Sequence, residues 1–463
     1  MSHPARPNAT LHPYAERYEV HDRMPEAGVP RAEILAQLRE MSAEEDRRGD
    51  TGRVSGSIYS GDHEHYAFLA EAFSCFGHVN VLQRDMYPSA TKMESEILAM
   101  AVDMLHGDDT CGGLVTSGGT ESLVSAMLAY RERARAERGI LHPEVLMPVT
   151  AHPALDKAFH YFDITPVRVP ITDRFQVDVE FVRDHVGPET VAIVASAGTY
   201  PHGVIDPIPE LGQIALEHDI GLHVDGCLGG FILPWANELG YPVTPFDLGV
   251  AGVTSISADT HKYGYAFKGS SVVIFRPKDL RRHLYFMKLD WPGGMYSSPG
   301  MSGSRSGGII ASTWAAMLSL GRSGYRTIAA DIFRTAAVVK EAVRSHAELQ
   351  LLGDSVFNIA FGSDELDIFH VNDALAASGW RMNGLQLPPA LHFCITRPNT
   401  APGVVEAFVE DLARAVEYAK APESPTPRSG ALYGAGGTAP DHEWVAAGLT
   451  RFLDAIHEVR PLG

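Results

Sequence analysis

Short apolar runs alternate with helical segments through the middle of the chain. Runs with the length and apolar character of buried strands fall at residues 114–116, 145–147, 191–195, 221–224, 255–258 and 271–275. Segments with the helical period of apolar residues lie between them, among them 120–138 and 209–218. This alternation predicts a mainly parallel sheet that is covered by helices on both faces.

The two ends of the chain follow different patterns. Before about residue 98, helical segments at 31–45 and 66–76 are separated by a glycine-rich stretch at 49–61. After about residue 325 the pattern gives helices at 327–346, 404–420 and 442–459, strands at 356–361 and 391–396, and a loop rich in Pro, Gly and Ser at 421–440. We predict an N-terminal arm with helices at 1–97, a large domain at 98–324 and a small α+β domain at 325–463.

Composition and charge narrow the class of protein. A chain of 463 residues, 45% hydrophobic and 21% charged, suits a globular enzyme with more than one domain. Its net charge of −19 argues against binding to nucleic acid and against docking on anionic lipid. An anionic substrate would therefore have to be attracted by a few local cations rather than by the field of the whole molecule.

The cysteine pattern and the hydropathy indicate a cytoplasmic protein. The four cysteines are scattered and form no C-x-x-C pair, which favours reduced thiols over a disulfide framework. Residues 1–10 lack the apolar region of a signal peptide. No apolar run approaches the roughly 18–20 residues that span a bilayer, so we expect no membrane span.

Three polar features follow predicted strands, at the edge where open α/β sheets bind ligands. The first is the sequence Ser117-Gly118-Gly119-Thr120, which opens a predicted helix. Glycines let backbone N–H groups approach a phosphate, and the helix N-terminus adds a partial positive charge. An ordinary Gly-Gly turn with Thr120 as the helix N-cap would look the same. This feature alone leaves both interpretations open.

The other two features are Asp225 and Lys262. Asp225 ends the run at 221–224, where an ionised carboxylate is costly unless a cation, such as a protonated pyridine nitrogen, faces it. Lys262 follows the run at 255–258, where burial and nearby cations would lower the pKa of its amine, as Schiff-base chemistry requires. Singly, Asp225 could be a helix cap or a turn residue, and Lys262 an exposed charge. Together with the glycine turn they predict a pyridoxal 5′-phosphate (PLP) site, with the cofactor carried as a Schiff base on Lys262.

The motifs around these residues resemble a known family. The order of Gly-Gly-Thr, His152, His-Val-Asp and Asp-Thr-His-Lys is similar to that of the group II decarboxylase-like PLP enzymes. More narrowly, the segments at 55–59, 198–203, 223–231, 259–269 and 303–308 resemble the sphingosine-1-phosphate lyases. The resemblance covers about residues 50–330. It implies the α/β fold of PLP-dependent transferases of fold type I, with a mainly parallel seven-stranded sheet, and a homodimer with shared active sites.

The resemblance also assigns roles to individual residues. Lys262 would carry the cofactor, Asp225 would pair with its ring nitrogen, and Tyr200 would lie beside the reacting carbons. His152 would stack on the ring, unless it is only a core or capping histidine. The other cofactor contacts would be Gly118, Gly119, Thr120, His223, His261 and, from a second subunit, Ser304. A Gly/Ser-rich loop that carries Arg305 has little reason to be buried within one chain, which favours the shared site.

The substrate implied by the resemblance is a phosphorylated long-chain base, sphingosine 1-phosphate. A retro-aldol reaction would cleave its C2–C3 bond to a long-chain aldehyde and phosphoethanolamine. Its phosphate would be held by Tyr59, Asn80, Gln83 and Lys268. The family pattern at this point is Asn-Pro-Leu-His, whereas residues 80–83 read Asn-Val-Leu-Gln. Glutamine can donate a hydrogen bond to a phosphate but cannot titrate, which leaves the exact substrate open.

Other functions remain as alternatives. An amino acid decarboxylase would need a clamp for an α-carboxylate, and Lys268 near Tyr59 suits a phosphate better. A catalytically silent relative is the second alternative, against which the intact Lys262 and Asp225 argue. The sequence His63-Glu64-His65 suggests a metal, but histidines at this spacing point differently on a helix and no third ligand is evident, so we predict no metal site.

Overall fold

The computed structural model of the chain describes residues 14, 17–21, 23–429 and 442–457. Three helices lie in its N-terminal part: α1 (Arg31–Asp50), α2 (His63–Phe76) and α3 (Pro88–Met104). The first two overlap the predicted segments, whereas the apolar pattern does not predict α3. Asp62 begins α2 as its N-cap, because its carboxylate accepts a hydrogen bond from the backbone N–H of His65 at 3.0 Å.

A seven-stranded sheet in the order β1-β7-β6-β5-β4-β2-β3 forms the centre of the large domain. Its strands are β1 (Gly112–Thr116), β2 (Glu144–Pro148), β3 (Thr165–Val169), β4 (Thr190–Ser196), β5 (Gly221–Asp225), β6 (Ser255–Ala258) and β7 (Ser271–Phe275). β7 pairs antiparallel with β1 and β6, and the other pairs are parallel. The mainly parallel seven-stranded α/β fold is therefore confirmed.

Apolar side chains on the two faces of this sheet pack into separate clusters. In β4, Ile193 and Ala195 belong to one cluster and Val194 to the other. The helices that follow the strands contribute to these clusters; they are α4 (Gly119–Arg138), α5 (Ala154–Phe162), α6 (Val179–His185) and α7 (Ile208–Glu217). Strands buried on both faces read as continuous apolar runs, which is why the sequence predicts β4 to β7. It does not predict β3, in which only Val169 is fully buried.

Two further elements connect this sheet to the C-terminal part. The strands β8 (Phe286–Lys288) and β9 (Tyr296–Ser298) form a hairpin, and a long helix, α8 (Gly307–Arg344), follows it. Gly321 interrupts α8 with a φ of 56° and a ψ of 177°, a backbone conformation that glycine adopts without strain. The predicted helix at 327–346 is therefore only the second half of a longer helix.

A four-stranded antiparallel sheet in the order β10-β11-β13-β12 forms the small domain. Its elements are β10 (Gln350–Leu351), β11 (Asn358–Gly362), α9 (Ile368–Ala377), β12 (Asn383–Gln386), β13 (Pro389–Cys394) and α10 (Val404–Lys420). The predicted α+β character is confirmed, although the pattern gives only two of the strands, β11 and β13. The last described helix is α11 (His442–His457), and most of the predicted loop at 421–440 lies outside the described residues.

Membrane crossing requires a helix that is both long and strongly apolar. The described part of the chain contains no such helix.

Candidate active site

The carboxyl ends of β4, β5 and β6 lie side by side, with Ser196, Asp225 and Ser257 as neighbours in register. The segments that follow these strands border a cavity of about 400 Å³, a volume typical of ligand pockets. The sequence-predicted residues that line it are Tyr59, His152, Tyr200, Asp225, Lys262 and Lys268. The structure thus brings the predicted cofactor lysine, the acid and part of the predicted phosphate site into one cavity.

Lys262 lies in the turn after β6, beside an acid for which the sequence predicts no role. Its Nζ lies 2.9 Å from a carboxylate oxygen of Asp259, which is almost completely buried. Burial acts to lower the pKa of the Lys262 ammonium, but the Asp259 carboxylate outweighs it and raises this pKa well above its ordinary value. The expectation that nearby cations lower the pKa is wrong, because Lys262 is paired with a carboxylate.

Asp225 and His152 reach the same cavity from the ends of two different strands. The Asp225 carboxylate, 7% exposed, accepts a hydrogen bond from the backbone N–H of Cys227 at 3.0 Å. Nδ1 of His152 accepts a hydrogen bond from the backbone N–H of Ala154 at 3.1 Å, where α5 begins. Burial lowers the pKa of His152, with the Asp225 carboxylate acting in the opposite direction. His152 therefore accepts a hydrogen bond from the first residue of α5 and also presents a flat, neutral ring to the cavity.

The glycine turn after β1 packs against Asp259 and His261. A Cβ atom at Gly119 would lie 2.9 Å from both carboxylate oxygens of Asp259, and one at Gly118 would lie 3.4 Å from Cε1 of His261. Gly118 is the N-cap of α4, so Thr120 is already inside the helix and is not its cap. Nδ1 of His261 is buried without a hydrogen-bond partner among the described residues. This concave site at a helix N-terminus suits a phosphate.

His223 lies behind the cavity rather than in it. It is fully buried in β5, with Nδ1 2.7 Å from Oγ of Ser255 and Nε2 3.3 Å from Oγ of Ser257. Burial lowers its pKa to about 4, against the opposing effect of Asp225. The expectation that His223 contacts the cofactor is not supported, because both ring nitrogens are engaged by serines of the adjacent strand β6.

A second lysine of the cavity, Lys268, lies beside Tyr59. Its Nζ is 4.8 Å from the centre of the Tyr59 ring and donates to the carbonyl oxygen of His261 at 3.4 Å. Burial and then repulsion by Lys262 lower the pKa of Lys268 to about 8. Burial also raises the pKa of Tyr59, so its hydroxyl stays protonated. A cation and a hydroxyl donor thus share one wall of the cavity.

The other predicted phosphate ligands are not in this cavity. Nδ2 of Asn80 donates to Oγ of Ser304 at 2.9 Å, and the side chains of Gln83 and Ser304 are exposed. Arg305 is largely buried in its own chain, where its guanidinium pairs with Glu94 at 2.5 Å. Arg305 is therefore buried within its own chain, contrary to the prediction for this loop. Within one chain the expected phosphate ligands form two separate groups.

The small domain supplies a wall of the cavity that the sequence analysis misses. Its lining residues are Asn358, Arg381, Asn383, His392 and Cys394. The rings of Tyr200 and His392 pack edge to face with centroids 4.9 Å apart. The only signal in the sequence is a polar residue inside the apolar strands β11 and β13, and such residues are usually core groups with satisfied hydrogen bonds.

The two histidines of the possible metal motif have different partners. Nε2 of His63 lies 2.9 Å from the carboxylate of Asp50, and Nε2 of His65 lies 2.9 Å from the carbonyl oxygen of Tyr265. In the described residues no three His, Cys, Asp or Glu side chains converge in a way that could hold a metal ion.

The arrangement fits three parts of PLP. The amine of Lys262 suits the aldehyde, the buried carboxylate of Asp225 suits the pyridine nitrogen, and the glycine turn with His261 suits the phosphate. The glycine turn lies next to the cavity. Cys227 is close to Gly119 and also lines the cavity, and Asp259 is close to Gly119 and pairs with Lys262. A side chain at Gly119 would collide with Asp259 and Cys227, so only glycine lets the turn approach these residues this closely.

Comparisons with known proteins agree with this geometry. The sequence model of the family described as "Pyridoxal-dependent decarboxylase conserved domain" matches residues 22–362. The chain is 44% identical to sphingosine-1-phosphate lyase of Arabidopsis thaliana over 428 residues, 89% of this chain and 78% of that protein. It is 41% identical to sphingosine-1-phosphate lyase 1 of Rattus norvegicus over 442 residues, 95% of this chain and 78% of that protein.

Comparisons with solved structures agree with the sequence comparisons. The structure of a sphingosine-1-phosphate lyase from Burkholderia pseudomallei superposes with a TM-score of 0.91 at 50% identity, covering 97% of this chain and 100% of that one. Glutamate decarboxylase of Lactobacillus brevis superposes with a TM-score of 0.74 at 20% identity, covering 88% of this chain and 97% of that one. The second likeness shows a shared fold.

Proposed function

Because the chain belongs to the pyridoxal-dependent decarboxylase family, and within it to the sphingosine-1-phosphate lyases, we propose that it cleaves phosphorylated long-chain bases. The bond broken is C2–C3, and the products are a long-chain aldehyde and phosphoethanolamine. The observation that carries the proposal is that Lys262, Asp225 and His152 share one cavity with Lys268 and Tyr59. The first three residues suit the cofactor, and the last two suit a substrate phosphate.

The cofactor of this family is PLP, which when bound withdraws electrons from the substrate carbon at which the bond is broken. Lys262 would hold it covalently, and the carboxylate of Asp225 would keep a proton on its ring nitrogen. His152 would lie against the ring face, and the backbone N–H groups of Gly118 and Gly119 would bind its phosphate.

Lys268 and Tyr59 would hold the substrate phosphate. A charge-assisted hydrogen bond from an ammonium and one from a hydroxyl select a phosphate over an uncharged head group. Fixing this end of the substrate determines which of its bonds stands over the cofactor ring, and such positioning supplies much of the rate. Tyr200, on the segment after β4, would lie beside the reacting carbons.

The exposed group formed by Asn80, Gln83 and Ser304 supports a homodimer in which each subunit completes the site of the other. Ser304 is hydrogen-bonded to Asn80, so a partner that brings Ser304 to the cofactor phosphate brings Asn80 and Gln83 with it. The site would then contain Lys262 and Lys268 from one protomer and the amide donors from its partner. The four cysteines form no disulfide, which supports a reducing, cytoplasmic location.

The direct test is product analysis. Holoenzyme incubated with sphingosine 1-phosphate should release a long-chain aldehyde and phosphoethanolamine in equal amounts, detected by mass spectrometry. The control is sphingosine without the phosphate, which should react far more slowly. Release of carbon dioxide from an amino acid, with no aldehyde from the phosphorylated base, would overturn the proposal in favour of a decarboxylase.

A further inference from the structure

One face of the small-domain sheet forms the cavity wall opposite the cofactor residues. In the register of β11, β13 and β12, Asn358 stands opposite Cys394, and Asn383 stands opposite His392. All four side chains line the cavity. This wall is polar, although it belongs to a sheet whose remaining buried residues are mostly apolar.

Two of these side chains are tied to the backbone that carries Tyr200. Nδ2 of Asn358 donates to the carbonyl oxygen of Tyr200 at 2.9 Å, and Nδ1 of His392 lies 3.0 Å from the carbonyl oxygen of Pro201. A carbonyl oxygen only accepts hydrogen bonds, so Nδ1 of His392 carries the hydrogen. Its Nε2 is then a lone-pair acceptor, because burial lowers the pKa of His392 to about 4 and keeps the ring neutral.

The remaining acceptor atom of each side chain has no hydrogen-bond partner in the described part of the chain. These atoms are Oδ1 of Asn358 and Nε2 of His392, and both residues are at most 1% exposed. Buried acceptors without a partner are rare in folded proteins, since each gives up its hydrogen bonds to water. These two belong to residues that line one wall of the cavity, where a ligand that brings a hydrogen-bond donor would satisfy them.

The substrate offers such a donor beside the bond that is cleaved. Its phosphate is a dianion with no hydrogen to donate, and its alkyl chain carries only C–H groups. Its amine is the group that joins the cofactor. The hydroxyl on C3 is the donor that remains. We propose that Nε2 of His392 and Oδ1 of Asn358 accept the hydrogen bond of this C3 hydroxyl, and thereby select a 2-amino-3-hydroxy substrate.

This assignment rests on the proposed function and extends it to a specific contact. Tyr200 packs against His392, so the same wall would hold both the hydroxyl and the ring that lies beside the reacting carbons. When the bond breaks, the C3 hydroxyl loses its proton and becomes the aldehyde oxygen, and C2 of the other product gains a proton. An acceptor fixed by the Pro201 carbonyl orients the O–H bond in advance, without having to reorganise during the reaction.

Two substitutions of His392 distinguish loss of the proposed hydrogen bond to the C3 hydroxyl from loss of the packing of this side chain. His392→Asn keeps an amide donor near the position of Nδ1, so the bond to Pro201 can persist, but it has no acceptor at the position of Nε2. His392→Gln places an amide oxygen near Nε2. We expect His392→Asn to lower kcat/KM for sphingosine 1-phosphate about ten-fold, a loss typical of one hydrogen bond, and His392→Gln to recover most of it.

The probe that distinguishes the contact from a structural role is a 2-aminoalkyl phosphate of the same chain length that lacks the C3 hydroxyl. Its dissociation constant, measured from the change in cofactor absorption, should be the same within two-fold for the parent and for His392→Asn. If His392→Asn weakens this probe as much as it slows the natural substrate, or affects neither, the assignment is wrong.

A measurement on the parent protein is independent of how the variants fold. The first binding phase in stopped flow should show about ten-fold tighter binding of sphingosine 1-phosphate than of the 3-deoxy probe. Equal affinities would overturn the contact. Failure of the proposed function has a different signature, because the protein would then release no aldehyde, whatever its preference between the two ligands.

Discussion

Lys262 and Lys268 show how strongly a single neighbour decides the charge of a buried amine. Both lie in the same cavity, and burial acts to lower the pKa of each. Lys262 is paired with Asp259 at 2.9 Å and its pKa is raised, whereas Lys268 faces a carbonyl oxygen and an aromatic ring and its pKa falls to about 8. The pKa values of the two amines are therefore shifted in opposite directions, and the amines suit different tasks.

Replacing Lys268 by Met should remove a charge-assisted hydrogen bond to the substrate phosphate and keep the packing of the stem. Such bonds contribute roughly 1.5–3 kcal/mol, so kcat/KM for sphingosine 1-phosphate should fall by about one to two powers of ten. The absorption spectrum of the bound cofactor should hardly change, because Lys268 is not among the groups proposed to hold it. A variant as fast as the parent would show that Lys268 does not bind the phosphate.

The pH dependence follows from the lowered pKa of Lys268. Below about pH 8 the amine is charged and attracts the phosphate, and above it the charge is lost. We expect kcat/KM to fall as the pH rises through about 8. At saturating substrate kcat should fall less, since a bound phosphate dianion stabilises the ammonium. Lys268→Arg is the control: its guanidinium stays charged, so this fall should disappear. A fall that is identical in Lys268→Arg would assign the titration to another group.

At the scale of elements, the parallel strands explain how much of the site the sequence predicts. β5 and β6 are short strands buried on both faces; Asp225 is the last residue of β5, and Lys262 lies in the turn after β6. Parallel strands bring those ends together, so the proposed cofactor site is predictable from sequence order alone. The residues of the small-domain wall do not lie at the ends of parallel strands, so sequence order does not identify them. His392 lies inside an antiparallel strand, and only the tertiary structure shows that it lines a cavity.

The glycine turn before α4 can be tested as an element. In Gly119→Ala the new Cβ atom would lie 2.9 Å from the Asp259 carboxylate and from Sγ of Cys227, so the turn must shift. We expect the affinity for PLP to fall at least about ten-fold, because the backbone N–H groups would move away from the cofactor phosphate. Gly187→Ala is the matched control, since its Cβ atom would meet nothing closer than 3.9 Å. Titration of each apoprotein with PLP measures the effect; equal affinities would place the cofactor phosphate elsewhere.

At the scale of the whole molecule, a net charge of −19 contrasts with the few cations of the cavity. The protein field repels an anionic substrate at long range, so the proposed recognition depends on short-range contacts with Lys268 and Tyr59. The exposed group of Asn80, Gln83 and Ser304 adds neutral donors, which bring no further positive charge. Because these side chains do not line the cavity of their own chain, the proposed mechanism requires a dimer in which they reach the cavity of the partner.

Complementation between inactive variants tests this assembly. Lys262→Ala lacks the cofactor lysine, and Ser304→Trp blocks the surface that would complete the partner's site. After subunit exchange, half of the dimers should be mixed and each should contain one intact site, so activity should return to about a quarter of the parent value. Exchange is verified with differently tagged chains. Absence of recovery in verified mixed dimers would show that each site is built within one protomer.

The central claim is that Lys262 carries the cofactor, and borohydride reduction tests it most directly. Reduction of the yellow holoenzyme, followed by digestion and mass spectrometry, should place one reduced pyridoxyl phosphate group on the peptide that contains Lys262. Lys268→Met should be labelled at the same residue, and Lys262→Ala should lose both the label and the absorption band. A label on Lys268 or on any other lysine, or no label in protein that binds PLP, would contradict the account.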